Sequence, residues 1–346
     1  MRRRFQVLLG ITTVAALTVL SGCSADSGDG ADQPPEGALT VYSGRTENLI
    51  GPLMDDFTEQ TGIPVAVRYG QSADLALQID TEGDSTPADV YISQSPGAAG
   101  YLADQGRLQQ LSKKTLAKVQ KRFEDPSGHW VGMSGRVRVM VYNTDTVTDK
   151  QFPKSVFDLT GEEYRGKVAL APANGSFQDF VTAMRIQFGK EKTQQWLDGM
   201  AANESPTYAN NTAIVEAAAR GEVPMGLVNH YYNERAKVEN ASTPTENYFF
   251  PDGDIGSLLI ATAVGVVNGT DQAGEADKLV AFLLSEQAQE FFANETFEYP
   301  LAEGVAPPHG LPPLDSLDYT SVDLGKLGEG FGETLQMIEA SGLNTN

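Results

Sequence analysis

The folded part of the chain begins with Leu39-Thr-Val-Tyr-Ser-Gly-Arg45, an apolar run that ends in a glycine-containing turn and predicts a strand. Residues 48–61 then carry apolar side chains at helical spacing, which predicts a helix. The same alternation continues with a strand at 64–69, a helix at 73–83 and a strand at 88–92. A β-α-β-α-β order predicts a parallel sheet covered by helices.

A later set of segments repeats this alternation and predicts a second lobe. Residues 136–142 form a strand long enough to cross between lobes, and residues 260–267 form one that returns. The other predicted segments are strands at 167–170 and 225–228 and helices at 177–188, 212–220 and 273–285. We predict an α/β protein whose lobe 1 comprises 38–135 and 262–310 and whose lobe 2 comprises 136–261 and 311–346. Ligands of such sheets bind beyond the carboxyl ends of the strands, so the cleft between the lobes is the expected site.

The first 37 residues predict export and a membrane anchor. A basic segment precedes an apolar stretch at 7–20, which is shorter than the ~20 residues of a membrane-spanning helix. Leu20-Ser-Gly-Cys23 has the form of a lipoprotein cleavage site, so 1–22 is the predicted signal peptide and Cys23 the lipidated residue that ties the protein to the cell membrane. Residues 23–37 lack core-forming side chains, which predicts a flexible tether after the lipidated cysteine.

Acidic residues dominate the composition, with 46 Asp and Glu against 25 Lys and Arg. Removal of residues 1–22 deletes three Arg and no acidic residue, which leaves 22 basic residues and a net charge of −24. This balance argues against nucleic acid as a partner, because the phosphate backbone would be repelled. It favours a soluble domain outside the cell.

Enzyme signatures are scarce. The sequence has no nucleophile-elbow or zinc-protease motif, and His129, His230 and His309 lack metal-ligand spacing. Residues 161–168 mimic a phosphate-binding loop but lack the Ser or Thr that Mg²⁺ requires, so we interpret them as a surface turn. We therefore predict a binding protein and no catalytic residues.

Tyr231 and Tyr232 are the most distinctive candidate site residues. They follow a predicted strand, and Asn229 is placed to cap the helix that begins there. The positive end of a helix dipole favours negative charge, which would lower the phenol pKa from its usual ~10. Two phenolate oxygens are hard anionic donors that suit a trivalent cation such as Fe(III). The alternative is that one ring belongs to the core and the other to the surface.

Two other turns follow predicted strands or precede predicted helices at the same cleft. Asn174-Gly175-Ser176 comes before a helix predicted to begin near Phe177, and its backbone N–H groups and side chains can form an anion nest. Asn210-Asn211-Thr212 begins another helix. Each is also an ordinary capping sequence. In a shared cleft they would hold an anion beside the tyrosines.

The chain resembles the ferric-ion-binding proteins, the extracytoplasmic solute receptors of iron ABC transporters, from about Leu39 to Val305. The segments that carry the resemblance are Thr40-Val-Tyr-Ser-Gly-Arg45, Ser85-Thr-Pro-Ala-Asp-Val90, Ser134-Gly-Arg-Val-Arg-Val139, Val228-Asn-His-Tyr-Tyr232 and Glu298-Tyr-Pro-Leu301. The resemblance implies a type II periplasmic-binding-protein-like fold, with two lobes of mixed, mainly parallel sheet that close on the ligand. It also implies an ABC permease and its ATPase as partners, and we expect a monomer.

The resemblance also implies a ligand set. The family's tyrosines that match Tyr231 and Tyr232 ligate Fe(III). The positions that hold a synergistic anion in some members match Asn174, Gly175, Ser176, Asn211 and Asn229. An arginine that helps to bind carbonate in others matches Arg136, and we add Arg45 as a further candidate. Carbonate, phosphate or citrate would suit this subsite.

Three positions depart from the family pattern. Thr46, followed by Glu47, stands where some members have a His ligand, and Gln94 stands where they have a Glu ligand. A further tyrosine of other members is replaced by Asn174. Fe(III) with two phenolates keeps one positive charge and open coordination positions, so an anion must complete the shell unless Glu47 turns inward. Thr46, Glu47 and Gln94 are therefore possible additional cleft residues.

We predict a lipid-anchored Fe(III) receptor that binds iron with a synergistic anion, closes, and delivers the iron to a permease. One alternative is a receptor of the same fold for a ferric chelate, or for an organic or inorganic anion without direct protein–iron ligation. A second is a hydrolase with a carboxylate in the cleft, for which the sequence offers no nucleophile–base pair. A third is a surface-displayed adhesin or signalling protein whose cleft is filled by side chains.

Overall fold

The computed structural model describes residues 35, 37–308, 311, 313–317, 319–320, 322–328 and 330–343. The predicted signal peptide, Cys23, nearly all of the predicted tether and His309 lie outside the described residues. None of the helices in the described ranges has the length and apolar character that crossing a membrane requires.

The described elements alternate between strands and helices as the sequence predicts. The strands are β1 (Leu39–Ser43), β2 (Val65–Tyr69), β3 (Val90–Ser93), β4 (Val131–Asn143), β5 (Val168–Ala169), β6 (Met225–Asn229), β7 (Thr245–Tyr248), β8 (Leu259–Val266) and β9 (Tyr299–Pro300). The α-helices are α1 (Glu47–Thr61), α2 (Ser72–Glu82), α3 (Pro96–Asp104), α4 (Lys113–Leu116), α5 (Gly175–Phe188), α6 (Lys190–Ala202), α7 (Asn211–Ala219), α8 (His230–Glu239), α9 (Ala273–Leu283), α10 (Glu286–Asn294) and α11 (Phe331–Ala340). Every strand and helix predicted above is present, with ends that differ by a few residues.

The strands form a mixed sheet whose main order is β2-β1-β3-β8-β4-β6-β5. β1 is parallel to β2 and β3, and β5 is parallel to β6. β8 is antiparallel to β3 and β4, and β4 is also antiparallel to β6, β7 and β9. The mixed α/β class is therefore confirmed. Parallel pairing is less extensive than predicted, because the two long strands β4 and β8 run against their neighbours.

β4 joins the two halves of this sheet. Its residues up to Val137 pair with β8, and those from Arg138 pair with β6, which agrees with the predicted crossing strand. All of its residues except Tyr142 are buried, which explains its largely apolar composition. Arg136 and Arg138 are exceptions within this apolar strand, and alternation places both on one face. The division of the chain into two lobes at the predicted boundaries stays a prediction.

Helix termini bring the candidate anion-binding residues into defined positions. α5 begins at Gly175, two residues before the predicted Phe177, because the Asn174 side chain caps it by accepting from the Ser176 N–H at 3.0 Å. Asn210 caps α7 in the same way through the Ala213 N–H at 2.9 Å, so Asn211 is the first residue of that helix. The predicted helix starts at these turns are therefore confirmed.

Two hydrophobic clusters support the site. The larger cluster contains buried residues from most of the described strands and helices. The smaller cluster includes Val139 from β4, Ile214 from α7 and Val228 from β6. The partly exposed ring of Tyr232 packs against the smaller cluster. Full burial of such side chains stabilises a fold by roughly 1.5–3 kcal/mol each, so this packing holds the start of α8 in place.

Candidate functional site

Tyr231 and Tyr232 lie in the first turn of α8, directly after β6. Tyr231 is fully buried and Tyr232 is partly exposed, and their rings stack with centroids 4.1 Å apart at an angle of 29°. The side-chain amide of Gln94, in the turn after β3, donates to both hydroxyls, at 3.4 Å to Tyr231 and 3.2 Å to Tyr232. The two phenol oxygens therefore face a common point.

Arg45, in the turn after β1, also contacts Tyr231. Its Nη1 donates to the Tyr231 hydroxyl at 3.0 Å and to Gln94 Oε1 at 3.2 Å, and its Nη2 pairs with Glu298. Neither the guanidinium nor this carboxylate has any solvent exposure. Burial lowers the pKa of Arg45 and the Glu298 carboxylate raises it, with a net rise that keeps the guanidinium charged. A permanent positive charge therefore lies beside the Tyr231 oxygen.

Glu298 links the two arginines that sequence analysis proposed for anion binding. Its Oε1 is 3.8 Å from Arg136 Nη1, and it accepts from the hydroxyls of Ser134 and Thr296, each at 3.1 Å. A buried carboxylate needs such partners, because taking a charge out of water is costly. No role was predicted for Glu298, and the available signal was its place in the Glu298-Tyr-Pro-Leu301 segment of the resemblance.

Ser176 is the meeting point of several predicted anion-binding residues. Its hydroxyl accepts from Arg136 Nε at 3.4 Å, from Arg136 Nη2 at 3.3 Å and from Asn229 Nδ2 at 3.0 Å. Asn229 occupies the N-cap position of α8 as predicted, but its side chain makes no capping hydrogen bond. The expectation of a side-chain cap is wrong, because the Asn229 amide bonds to Ser176 instead.

Gly175 brings the anion-binding turn close to the tyrosine pair. A Cβ at this residue would lie 3.2 Å from Gln94 Cβ and 3.2 Å from Ser95 Oγ, so only glycine permits the present approach without displacement. Ser95 Oγ also donates to the Gly175 carbonyl at 3.0 Å. The turn that carries Gln94 therefore packs directly on the turn that carries Ser176.

Several buried polar atoms of β4, β6 and α7 have no hydrogen-bond partner among the described residues. They are Asn229 Oδ1, Asn211 Nδ2 and Oδ1, and Arg138 Nη1 and Nη2. Asn211 and Asn229 have no exposed surface, and Arg138 is 1% exposed. Buried polar groups in native proteins are nearly always paired, so these atoms are candidates for contact with a ligand.

Arg138 is a residue that the sequence analysis missed. It stands opposite Asn229 in the pairing of β4 with β6, and its guanidinium carbon lies 5.2 Å from the centroid of the Phe180 ring. Burial and the neighbouring Arg136 lower the pKa of Arg138 to about 9. The signal was the pattern Arg136-Val-Arg138, which places two arginines on one face of an otherwise apolar strand.

Tyr231 is harder to ionise than a free phenol. Burial raises the pKa of Tyr231 well above its ordinary value of 10, and the Arg45 guanidinium acts in the opposite direction. His230, the adjacent residue, already uses both ring nitrogens: Nδ1 accepts from the Val137 N–H at 3.2 Å, and Nε2 lies 2.9 Å from the Phe297 carbonyl oxygen. Burial lowers the pKa of His230 to about 4. His230 is therefore a neutral structural residue beside the phenols.

Thr46 and Glu47 lie exposed where α1 begins. The Thr46 hydroxyl is 2.6 Å from Asn48 Oδ1, and the Glu47 side chain lies beside Gly51. Asn48 and Tyr232 both line a cavity of ≈ 60 Å³, which puts the start of α1 close to the pair. The contacts described above bring Gln94 and Arg45 to the phenols, whereas Thr46 and Glu47 stay at the periphery.

The arrangement offers two kinds of binding group. Within the part of the chain that the structure describes, no group of three or more His, Cys, Asp or Glu side chains could hold a metal ion. The tyrosine pair offers two oxygens that become anionic donors on deprotonation. The turn around Ser176 offers amide and guanidinium donors for an anion.

Comparison with known proteins places this chain in a family. Residues 85–316 match the bacterial extracellular solute-binding proteins. The Fe(3+)-binding periplasmic protein of Serratia marcescens is 31% identical over 99% of this chain and 100% of that protein. The chain belongs to the ferric-ion-binding family of extracellular solute-binding proteins. The resemblance inferred from sequence is therefore confirmed.

Solved structures of this family share the fold. Iron-bound HitA from Pseudomonas aeruginosa is 32% identical, with a TM-score of 0.84 over 88% of this chain and 99% of that one. A Trichodesmium protein (IdiA, FutA) in complex with iron and citrate is 27% identical, with a TM-score of 0.72 over 89% of this chain and 100% of that one. The α/β architecture described above is thus that of periplasmic ferric-binding proteins with a type II binding-protein fold.

Proposed function

We propose that this protein is an extracytoplasmic receptor that binds Fe(III) through Tyr231 and Tyr232 together with a synergistic anion. The observation that carries the proposal is the pair of stacked phenols whose hydroxyls both receive a hydrogen bond from the Gln94 amide. A cation at the point these oxygens face would be bound by two adjacent donors. The Fe(3+)-binding protein of Serratia marcescens and the iron-bound HitA structure support iron as that cation.

Binding requires both phenols to lose their protons. Iron supplies most of the driving force, as metals do for their protein ligands. The Arg45 guanidinium, 3.0 Å from the Tyr231 hydroxyl, stabilises the phenolate that forms in an otherwise unfavourable buried position. The first turn of α8 adds the positive end of its dipole. Tyr231 therefore resists ionisation until the metal arrives.

A non-protein anion completes the coordination shell. Fe(III) with two phenolates has one remaining positive charge. Residue 94 is a neutral glutamine, so it does not supply the anionic ligand that a glutamate would supply. The anion, carbonate, phosphate or citrate, would be held by the buried residues around Ser176: Asn174, Gly175, Asn211, Asn229 and Arg136. The packing of Gly175 against Gln94 makes this subsite adjacent to the phenols.

The receptor would deliver its cargo to a membrane permease driven by an ATPase. In this scheme lobe 1 (38–135 and 262–310) and lobe 2 (136–261 and 311–346) close on the ligand, and the lipid on Cys23 keeps the monomeric receptor at the membrane. No step is catalytic, because the ion is bound and released unchanged.

A receptor for a preformed ferric chelate is the second candidate. Asn211, Asn229 and Arg138 carry five buried polar atoms without partners among the described residues. This number favours a ligand with more hydrogen-bonding groups than one small anion such as carbonate. In that case a larger ligand would bring its own iron, and the phenols would add to an existing shell. Binding of an anion alone, without protein–iron ligation, is the limiting form of this alternative.

Titration of iron-free protein with Fe(III), with and without hydrogen carbonate, phosphate or citrate, tests the proposal. We expect a visible phenolate-to-iron charge-transfer band that needs an anion. Tyr231→Phe and Tyr232→Phe should each weaken iron binding by at least ~100-fold, more than is usual for residues that only support a metal ligand. Tyr69→Phe, at a tyrosine that is 39% exposed, is the matched control and should leave the band intact. Persistence of the band in both single variants would reject tyrosine ligation.

A further inference from the structure

We propose that His230 is a positioning residue of the iron site, which acts by holding a strained turn at residues 296–298. This turn carries the carboxylate that holds Arg45 beside Tyr231, so loss of the turn should let iron leave faster. The inference deepens the proposed function and rests on it for the identity of the metal. It gives the ring of His230 a role in iron binding that is exerted through other residues.

Both ring nitrogens of His230 are bonded to backbone groups of distant segments. The Val137 N–H of β4 donates to Nδ1 at 3.2 Å, and Nε2 lies 2.9 Å from the Phe297 carbonyl oxygen. A backbone N–H can only donate, so Nδ1 is the unprotonated nitrogen and Nε2 carries the proton that is donated to Phe297. The ring therefore bridges β4 and the segment between α10 and β9.

The turn at Phe297 has an unfavourable backbone conformation. Its φ is +58°, in the left-handed region that bulky side chains rarely adopt. On one side the turn is tied to α10, because the Thr296 hydroxyl and the Glu298 N–H both donate to the Phe292 carbonyl, each at 2.9 Å. Such a conformation persists only where surrounding contacts hold it. The hydrogen bond from His230 acts on the carbonyl of the strained residue itself.

The strained turn is connected to the tyrosine pair through charged side chains. Glu298 directly follows Phe297, and its carboxylate pairs with Arg45 Nη2. Arg45 Nη1 donates in turn to the Tyr231 hydroxyl at 3.0 Å, and Tyr231 directly follows His230. The contacts therefore form a closed circuit that begins and ends at the first turn of α8. Relaxation of the turn would remove the carboxylate that keeps the guanidinium beside the phenol oxygen.

The position of Arg45 affects bound iron in two measurable ways. The guanidinium stabilises the phenolate form of Tyr231, so its displacement favours return of the proton and loss of the metal. A positive charge beside a phenolate also lowers the energy of the phenolate electrons. Moving that charge away should therefore shift the phenolate-to-iron charge-transfer band to longer wavelength. A general loss of stability would not produce this shift.

His230→Asn and His230→Gln separate the two hydrogen bonds of the ring. The Asn amide reaches about as far as Nδ1 and can accept from Val137, whereas the longer Gln amide reaches as far as Nε2 and can donate to Phe297. The measurement is the rate at which Fe(III)-loaded protein, prepared with phosphate, releases iron to excess EDTA. We expect His230→Asn to release iron at least about tenfold faster, with its band at longer wavelength. His230→Gln should stay within about threefold of the unaltered protein.

Relief of the strain gives an independent test. Glycine adopts positive φ readily, so in Phe297→Gly the turn no longer depends on the hydrogen bond from His230. Adding His230→Asn to that variant should speed iron release by less than about threefold, against at least about tenfold in the unaltered background. An equal effect in the two backgrounds would overturn the role of the strained turn.

Two further measurements separate positioning from folding. Nitrogen NMR of the unaltered protein should place the His230 ring proton on Nε2, and a proton on Nδ1 would overturn the proposal. Urea unfolding of the iron-free His230→Asn and His230→Gln variants should give similar stabilities, because each loses one hydrogen bond. Equal release rates and equal band positions in these two variants would overturn the positioning role. Failure of tyrosine ligation would instead appear as a band that persists in Tyr231→Phe and Tyr232→Phe.

Discussion

The two halves of the site differ in how far they satisfy their own hydrogen bonds. On the phenol side, hydrogen bonds and an ion pair connect Tyr231, Gln94, Arg45 and Glu298. Arg45 Nε is the buried side-chain atom of these four residues that has no partner among the described residues. On the anion side, five buried polar atoms of Asn211, Asn229 and Arg138 lack partners among the described residues. In the proposed function, the phenol side exchanges internal bonds for a metal, whereas the unpaired atoms of the anion side gain partners from the ligand.

Removal of the carboxylate that holds the phenol side together should have the largest effect on stability. Glu298→Gln leaves Arg45 and Arg136 buried without a counter charge, and breaking a buried pair in this way costs about 3–5 kcal/mol. Urea unfolding of the iron-free protein measures the change. Glu216→Gln, which removes a carboxylate from an exposed ion pair, should cost at most about 1 kcal/mol. Similar losses in the two variants would show that the pair with Glu298 does not hold the phenol side.

A buried carboxyl behind the anion side should make stability depend on pH. Asp179 in α5 accepts from the Gly97 N–H at 3.2 and 3.1 Å, and burial raises the pKa of Asp179 to about 7. Between about pH 4 and pH 7 the unfolded chain loses this proton while the folded protein keeps it, so stability falls as pH rises. Asp179→Asn should remove up to about 4 kcal/mol of this fall. Unfolding profiles measured across that range should diverge, and parallel profiles would contradict the assignment.

Adding a negative charge to the phenol side should reduce its need for the anion side. Gln94→Glu would place a carboxylate beside both hydroxyls, where the nearby Arg45 Nη1 would keep it ionised. Iron affinity in the absence of added anion should rise by about tenfold, because a third anionic ligand is then available. Fluorescence titration of the two proteins with Fe(III), in a chloride buffer without carbonate, phosphate or citrate, provides the measurement. An unchanged affinity would mean that position 94 does not reach the metal.

The smallest effect is expected at the edge of the phenol side. Glu47 is exposed at the start of α1, with its side chain beside Gly51 rather than at the tyrosine hydroxyls. Glu47→Gln should therefore change iron affinity by less than about twofold, as surface charge changes usually have small effects. A loss of tenfold or more in the same titration would identify Glu47 as a ligand that turns inward when iron binds.

Local patterns were sufficient to predict the elements and the position of the tyrosine pair at a helix start. The strand-helix alternation from Leu39 onward, the capping residues Asn174 and Asn210 and the tyrosine pair at a helix start are all signals within a few residues of one another. Such features depend on backbone periodicity and capping, which the sequence displays directly.

Long-range partners could not be predicted in the same way. Arg45 and Glu298 are 253 residues apart, and nothing local to either residue indicates the pairing. The Asn229 side chain bonds to Ser176, 53 residues away, although its local context indicates a cap. Thr46 and Glu47 follow Arg45 directly, yet the start of α1 turns them outward while Arg45 turns inward. These outcomes depend on the packing of distant segments.

The structure of the iron-loaded protein tests the central claim most directly. Crystals grown with Fe(III) and phosphate or citrate should show one metal ion bound to the hydroxyl oxygens of both Tyr231 and Tyr232. The anion should bridge that ion and the turn at Ser176. A metal ion elsewhere, with the Tyr231 hydroxyl still hydrogen-bonded to Arg45 and Gln94 as it is here, would contradict the account.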